Sequence, residues 1–190
     1  MLILDGKIFQ VKADGKVYTP LMDLTTPFAS VVRFNPDVTM NVNKGTDFQG
    51  LEKIVNKAAP NMNIFCAVQV KGRFLKIKTR SVPAQKKPYP PLVEVTKNQP
   101  VFDMENISGT IVGFRSPVFL KGVGVPGYHL HFISADFKSG GHILEFIIEE
   151  GVAAVDICNR FLMILDEGEG DFSRIDLSHD RSEELNKAER

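Results

Sequence analysis

Three of the four histidines in this 190-residue chain fall within fourteen residues, in the run Y-H-L-H-F-I-S-A-D-F-K-S-G-G-H from Tyr128 to His142. No other feature constrains the local fold as tightly. In an extended strand, residues i and i+2 project from one face, so His129 and His131 point together. Asp136 to Gly141 reads as a hairpin loop. With the turn centred between Asp136 and Phe137, His131 stands opposite His142, and facing residues on paired strands have Cβ atoms about 5 Å apart. The three imidazoles then converge on one point. Three neutral imidazoles at about 2.0–2.1 Å suit Zn²⁺ and leave positions open for water or substrate. Fe²⁺, Mn²⁺, Ni²⁺ and Co²⁺ accept the same donors, and the pattern does not choose among them. An H-x-H pair alone is a weak signal, since half-buried strands carry structural histidines. Three on one face favour an ion, because uncompensated ring nitrogens are costly to bury together. His179 stands alone in the polar tail and reads as solvated.

The rest of the chain places this hairpin in an α+β fold with mixed or antiparallel sheets and a few short helices. Leu4 to Val11 alternates, meets an Asp14-Gly15 turn and returns through Lys16 to Tyr18. Phe28 to Phe34 is a second strand candidate, closed by Asn35, Pro36 and Asp37. Asp47 caps a helix carrying Leu51, Ile54, Val55 and Ala58 at helical spacing before Pro60. Ile64 to Val70 and Phe74 to Thr79 read as two strands joined around Lys71-Gly72. Four prolines between Pro83 and Pro91 exclude helix and central strand. That passage reads equally as a linker or as an extended segment anchored by Tyr89 and Leu92. A soft boundary near residue 98 divides an N-terminal β-rich subdomain with one helix (1–98) from a C-terminal β subdomain with the histidines (99–190). A faint echo between GRFLKIKTRSVP and GTIVGFRSPVF allows the two to be related. Further strands are expected at Gly109–Arg115, Tyr128–Ser134, His142–Ile148 and Ala154–Leu165 with a break near Asn159. The tail from Ser178 reads as a short polar helix.

Charge and composition narrow the function. Lys plus Arg and Asp plus Glu both total 23, so the net charge is zero, against a nucleic-acid partner that needs a basic surplus. The one basic stretch, Lys71 to Lys87, reads as a structured wall because of the Pro and Tyr residues in it and just beyond it. No apolar run approaches the ~18 residues of a membrane span, and the opening MLILDGKIFQ lacks the pattern of a signal peptide. Cys66 and Cys158 sit in apolar runs and read as buried free thiols, which points to a reducing cytoplasm.

The segment GTIVGFRSPVFLKGVGVPGYHLHFISADFKSGGHILEF closely resembles the signature of the acetolactate decarboxylases. So do TPFASVVRF, the stretch FCAVQVKGRFLKIKTRSVPAQKKPYPP and the tail DLSHDRSEELNKAE. The resemblance covers nearly the whole chain in order, and its centre, G-Y-H-L-H-F with G-G-H downstream, is not a generic metal motif. It implies decarboxylation of 2-acetolactate, a 2-hydroxy-3-keto acid, to acetoin, with His129, His131 and His142 as zinc ligands. It further implies that Arg80, in K-T-R-S-V-P, faces the substrate, that Glu189 reaches back to the metal, and that the protein is a homodimer of two-subdomain chains with the site between the subdomains. The family's pattern extends upstream of Met1 through a threonine and a glutamate that line its site. The expectation for the chain as given is therefore secure metal binding and weakened turnover. A cupin-like oxygenase or isomerase is the rival enzyme, disfavoured because no glutamate follows His131 at cupin spacing. A metal-binding module without catalysis is the non-enzymatic rival.

Overall fold

In the computed structural model, Phe65–Arg80 is one sixteen-residue strand, β5, and not the two strands that Lys71-Gly72 suggested. Gly72 is opposed by Gly109 on one neighbouring strand and Gly151 on the other. A side chain at Gly72 would collide with the carbonyl oxygen of Glu150. The glycine thus marks close approach of three backbones and not a turn.

The structure describes residues 1–190 apart from 27, 28, 91, 97, 98, 166, 167, 169–171, 175, 177 and 179–190. The other elements are β1 (Leu2–Leu4), β2 (Lys7–Val11), β3 (Val17–Tyr18), β4 (Val38–Val42), α1 (Phe48–Ala58), α2 (Leu92–Thr96), β6 (Val101–Ser116), β7 (Gly127–Ser134) and β8 (Gly140–Cys158), with short 3-10 turns at Val118–Leu120 and Phe172–Arg174. All the strand pairings described for the ladders are antiparallel. Mostly antiparallel sheet with few helices is the α+β class expected.

The main sheet runs β4-β8-β5-β6-β7, and β7 also pairs with the start of β8. This second pairing joins β8, β5, β6 and β7 into a ring. Between β5 and β8 the register shifts at Arg73/Phe74, Phe74/Lys76 and Lys78/Thr79, and such irregularities bend strands toward closure. Phe74, Ile77, Ile111, Leu130, Phe132, Phe146 and Ile148 are buried in the main core. Phe74 meets Phe132 and Phe146 edge-on, with centroids 5.4 and 6.2 Å apart. Helix α1 packs against this core through Leu51 and Val55, both fully buried. It starts where expected, with the Asp47 carboxylate accepting a hydrogen bond from Gly50 N at 2.8 Å, and stops before Pro60.

Several local expectations change. His142 to Ile148 and Ala154 onward belong to the single strand β8, which ends at Cys158, so residues 159–165 lie outside the ladder. The described part of the second candidate, residues 29–34, is not a strand; β4 follows it instead. Leu4–Val11 breaks at Asp5-Gly6, both with positive φ, into β1 and β2. That Asp-Gly turn adds a hairpin that the sequence reading missed. Tyr89 is 64% exposed, and the side chain of Leu92 lies outside what the structure describes. The boundary placed near residue 98 falls between β5 and β6, which pair from Cys66–Arg115 to Arg80–Val101. The tail helix and His179 fall outside the described residues, apart from the start at Ser178.

The small sheet β1-β2-β3 packs through Leu2 and Phe9 on Ile133, with Leu4, Val17 and Val112 around them. Ile133 shares a strand face with His131, and Val112 is the register partner of His131. The small sheet therefore builds an apolar wall beside the histidines.

Candidate metal centre

His129 and His131 lie two apart on β7, and His142 is the third residue of β8. His131 and His142 are register partners, as the turn position predicted. The ring centroids are 5.0 Å apart for His129–His131, 4.9 Å for His129–His142 and 5.3 Å for His131–His142. One nitrogen from each ring lies within 4.8 Å of the others, and the Nε2 atoms of His129 and His131 are 2.9 Å apart. Tetrahedral ligation at about 2.0–2.1 Å needs nitrogens roughly 3.3 Å apart, so small ring rotations suffice. All three are half-buried. Among the described residues this is the one group of three or more potential ligands with converging atoms.

The electrostatics suit a cation ligand set. His131 is held neutral well below the ordinary imidazole range, first by burial, then by His129 and His142, with the Met1 ammonium and Arg80 adding to the effect. A neutral imidazole is the form that ligates.

Arg80 ends β5 and is the register partner of His142, so its side chain emerges on the histidine face. It is 4% exposed, against the surface ion pair that an isolated arginine in this sequence would suggest. Its Nη1 donates to Gln99 Oε1 at 3.0 Å, and Ser81 N donates to Pro100 O at 3.2 Å. Residues 99–101 thus fold back over the end of β5. Gln99 carried no signal in the sequence, because its role depends on that return. Gly141, just before His142, has φ +145°, and a Cβ there would lie 2.6 Å from Arg80 O. The Gly-Gly before the third histidine was the visible trace of this crowding. Glu189 lies outside the described residues.

Three cations further along β5, Arg73, Lys76 and Lys78, are matched by acids. Lys76 and Lys78 approach Glu145 Oε1 at 3.1 and 2.8 Å, and Arg73 approaches Glu149 at 2.9 Å. The basic stretch is therefore a mixed-charge face.

An antiparallel β ring with three converging imidazoles and a buried arginine beside them forms a group that could hold a metal ion. The chain belongs to the alpha-acetolactate decarboxylase family, whose pattern matches residues 1–179. It is 46% identical over 190 residues to the alpha-acetolactate decarboxylase of Methanosarcina mazei, covering all of this chain and 66% of that one. It is 41% identical over 189 residues to that of Methylococcus capsulatus, covering 72% of it. The crystal structure of alpha-acetolactate decarboxylase from Bacillus subtilis strain 168 superposes with TM-score 0.92 at 33% identity, over 97% of this chain and 79% of that one. The chain thus spans about two thirds of the length of the curated relatives it matches. Among the described residues no helix is long and apolar enough to cross a membrane.

Proposed function

We propose that this chain decarboxylates 2-acetolactate to acetoin at a divalent, zinc-type ion held by His129, His131 and His142. The observation that carries the reading is the convergence of three imidazoles beside a buried arginine, in a chain whose relatives are alpha-acetolactate decarboxylases.

The substrate carries a carboxylate, a hydroxyl and a ketone on adjacent carbons. Breaking the bond to the carboxyl carbon leaves an electron pair that passes to the ketone oxygen, giving CO₂ and an enediolate. A proton then returns to the former carboxyl-bearing carbon to give acetoin. An ion held by His129, His131 and His142 would supply Lewis-acid charge that stabilises the oxygen taking up the electron pair. Arg80 orients the carboxylate through the planar fork of its guanidinium, which Gln99 steadies. The apolar wall of Leu2, Leu4 and Phe9 limits water on one side, which strengthens every charge interaction within. Glu189 is assigned as the carboxylic acid that handles the proton, on the strength of the E-L-N-K-A-E tail motif.

The functional unit in this reading is a homodimer. Its support is the run Phe161–Leu165, in which five consecutive apolar side chains are 49–84% exposed. Phe161 stacks on Phe65 at 5.1 Å, and Phe65 meets Phe119 at 6.1 Å. An exposed apolar patch of this kind is the mark of an association surface.

The test is acetoin formation from racemic 2-acetolactate by purified protein loaded with Zn²⁺, beside His131→Ala. Acetoin from the wild type and none above the spontaneous rate from the variant supports the reading. A folded, zinc-loaded wild type that makes no acetoin reduces the chain to a metal-binding protein.

A further inference from the structure

The three histidines are not held equally. His131 is paired on both sides, with Val112 of β6 and His142 of β8. His142 lies between His131 and Arg80. His129 lies beyond the last β7–β8 pair and is laddered to β6 alone, opposite Phe114. The chain enters β7 through Lys121–Gly127, where Val123 is 54% exposed and Gly127 has φ +84°. A ligand at such a strand end needs a second restraint to keep its ring in place.

The restraint lies one residue earlier and on the opposite face. Tyr128 donates from its hydroxyl to Asn56 Oδ1 at 2.7 Å, and the same hydroxyl is 3.4 Å from Glu52 O. Its ring meets Phe48 edge-on at 6.5 Å. Phe48, Glu52 and Asn56 are spaced by four and form one stripe along α1, so Tyr128 lies along the helix. Asn56 Oδ1 also accepts from Arg115 Nη1 at 3.0 Å. Arg115, the register partner of Tyr128, is 1% exposed and donates to Ala59 O at 2.6 Å and Asn61 O at 2.9 Å, at the end of the helix. Helix α1, β6 and β7 are thereby bolted together at one amide oxygen.

The geometry points to Tyr128 as a positioning residue that, through Asn56, fixes His129 in the metal centre. The Tyr128 side chain lies against α1 on the face opposite the histidines; it sets the backbone from which the first ligand projects, much as partners behind ligands set ring orientation in other metal sites. The inference rests on the metal-centre reading given above.

The test uses the full chain and Zn²⁺ itself. Zn²⁺ affinity is measured by competition with a chromophoric chelator, and ligand geometry by the visible absorption of the Co²⁺-loaded protein. Tyr128→Phe removes only the hydroxyl and is expected to weaken Zn²⁺ about tenfold, the low end of the range for groups behind ligands, and to shift the Co²⁺ bands. Asn56→Asp keeps an acceptor for both donors and is expected to bind like wild type. Val55→Ala, which opens a cavity in the same helix, controls for stability: it is expected to lower the melting temperature while leaving affinity and Co²⁺ bands in place. Wild-type affinity and spectrum in Tyr128→Phe overturn the inference while leaving the metal reading intact. Equal weakening by Val55→Ala overturns it as well, by reducing the effect to general stability. A wild type that binds no Zn²⁺ overturns both.

Discussion

Arg80 and His142 are direct partners across the β5–β8 ladder, and His131 is the partner of His142 on its other side. Three adjacent strands thus present a guanidinium and two imidazoles in one transverse row. Their spacing is set by backbone hydrogen bonding, near 4.8 Å from strand to strand. In the proposed reaction Arg80→Lys keeps a positive charge but loses the planar fork and the bond to Gln99. We expect kcat/KM to fall about 100-fold or more while Zn²⁺ affinity stays near wild type. Steady-state kinetics with a parallel metal titration separate the two, and an equal loss of metal would move Arg80 from substrate binding to support of the centre.

The histidines themselves are expected to act as a set. Removing either His131 or His142 by alanine takes away one of three converging nitrogens. Affinity for Zn²⁺ should drop by well over the 10–100-fold that partners behind ligands typically supply. Metal content after dialysis reads the result: about one ion per chain in wild type and close to none in the variants.

The depressed titration of His131 predicts how the metal-free protein responds to acid. Unfolded, this imidazole titrates near 6.5; folded, it is held well below that, chiefly by burial. Between the two values the unfolded chain binds more protons, so stability rises with pH across that window. The contribution is fully present above about pH 6.5 and is lost as pH falls toward the folded value. Melting temperatures from about pH 8 to about pH 5 should fall on the acid side, and His131→Gln should flatten that slope. A slope unchanged in the variant would assign the acid sensitivity to other groups.

Gly141 tests the packing that sets the row. Its φ of +145° and the 2.6 Å approach of a Cβ to Arg80 O oppose any side chain. Gly141→Ala should cost about 1–3 kcal/mol, read by denaturant unfolding. It should also weaken Zn²⁺ by moving His142 away from its partners. Wild-type stability would mean that β8 shifts without strain.

The exposed run Phe161–Leu165 carries the expectation of a dimer. Leu162 and Ile164 are its most exposed members, at 81% and 84%, and changing both to Asp places two charges where an apolar contact is proposed. Light scattering should report a dimer for wild type and a monomer for the double variant, with the fold retained by circular dichroism. A monomeric wild type would remove the dimer from the proposal.

The histidine face was legible because it depends on local rules. The two-residue period of a strand and the position of a single turn together placed His131 opposite His142. Helix α1 was legible for the same reason, with its Asp47 cap, its four-residue apolar spacing and Pro60 all local signals. Gly72 misled because glycine serves both turns and close approaches. Only the neighbours Gly109 and Gly151 reveal which applies, and they are distant in sequence. The run 29–34 misled because its composition suits a strand, yet no strand pairs with it in the described ladders.

The sequence by itself determined that three imidazoles share a face, where the main helix begins and ends, and to which family the chain belongs. These follow from spacings within a few residues or from a pattern that runs the length of the chain. Only the tertiary structure decided that β5 and β8 each run unbroken, that β7 closes on β8, and that Arg80 is buried beside His142 with Gln99 against it. Those outcomes depend on which strands become neighbours, and that choice is made by burial of the whole core. A cation written among lysines is therefore buried beside a histidine only once β5 and β8 have become neighbours.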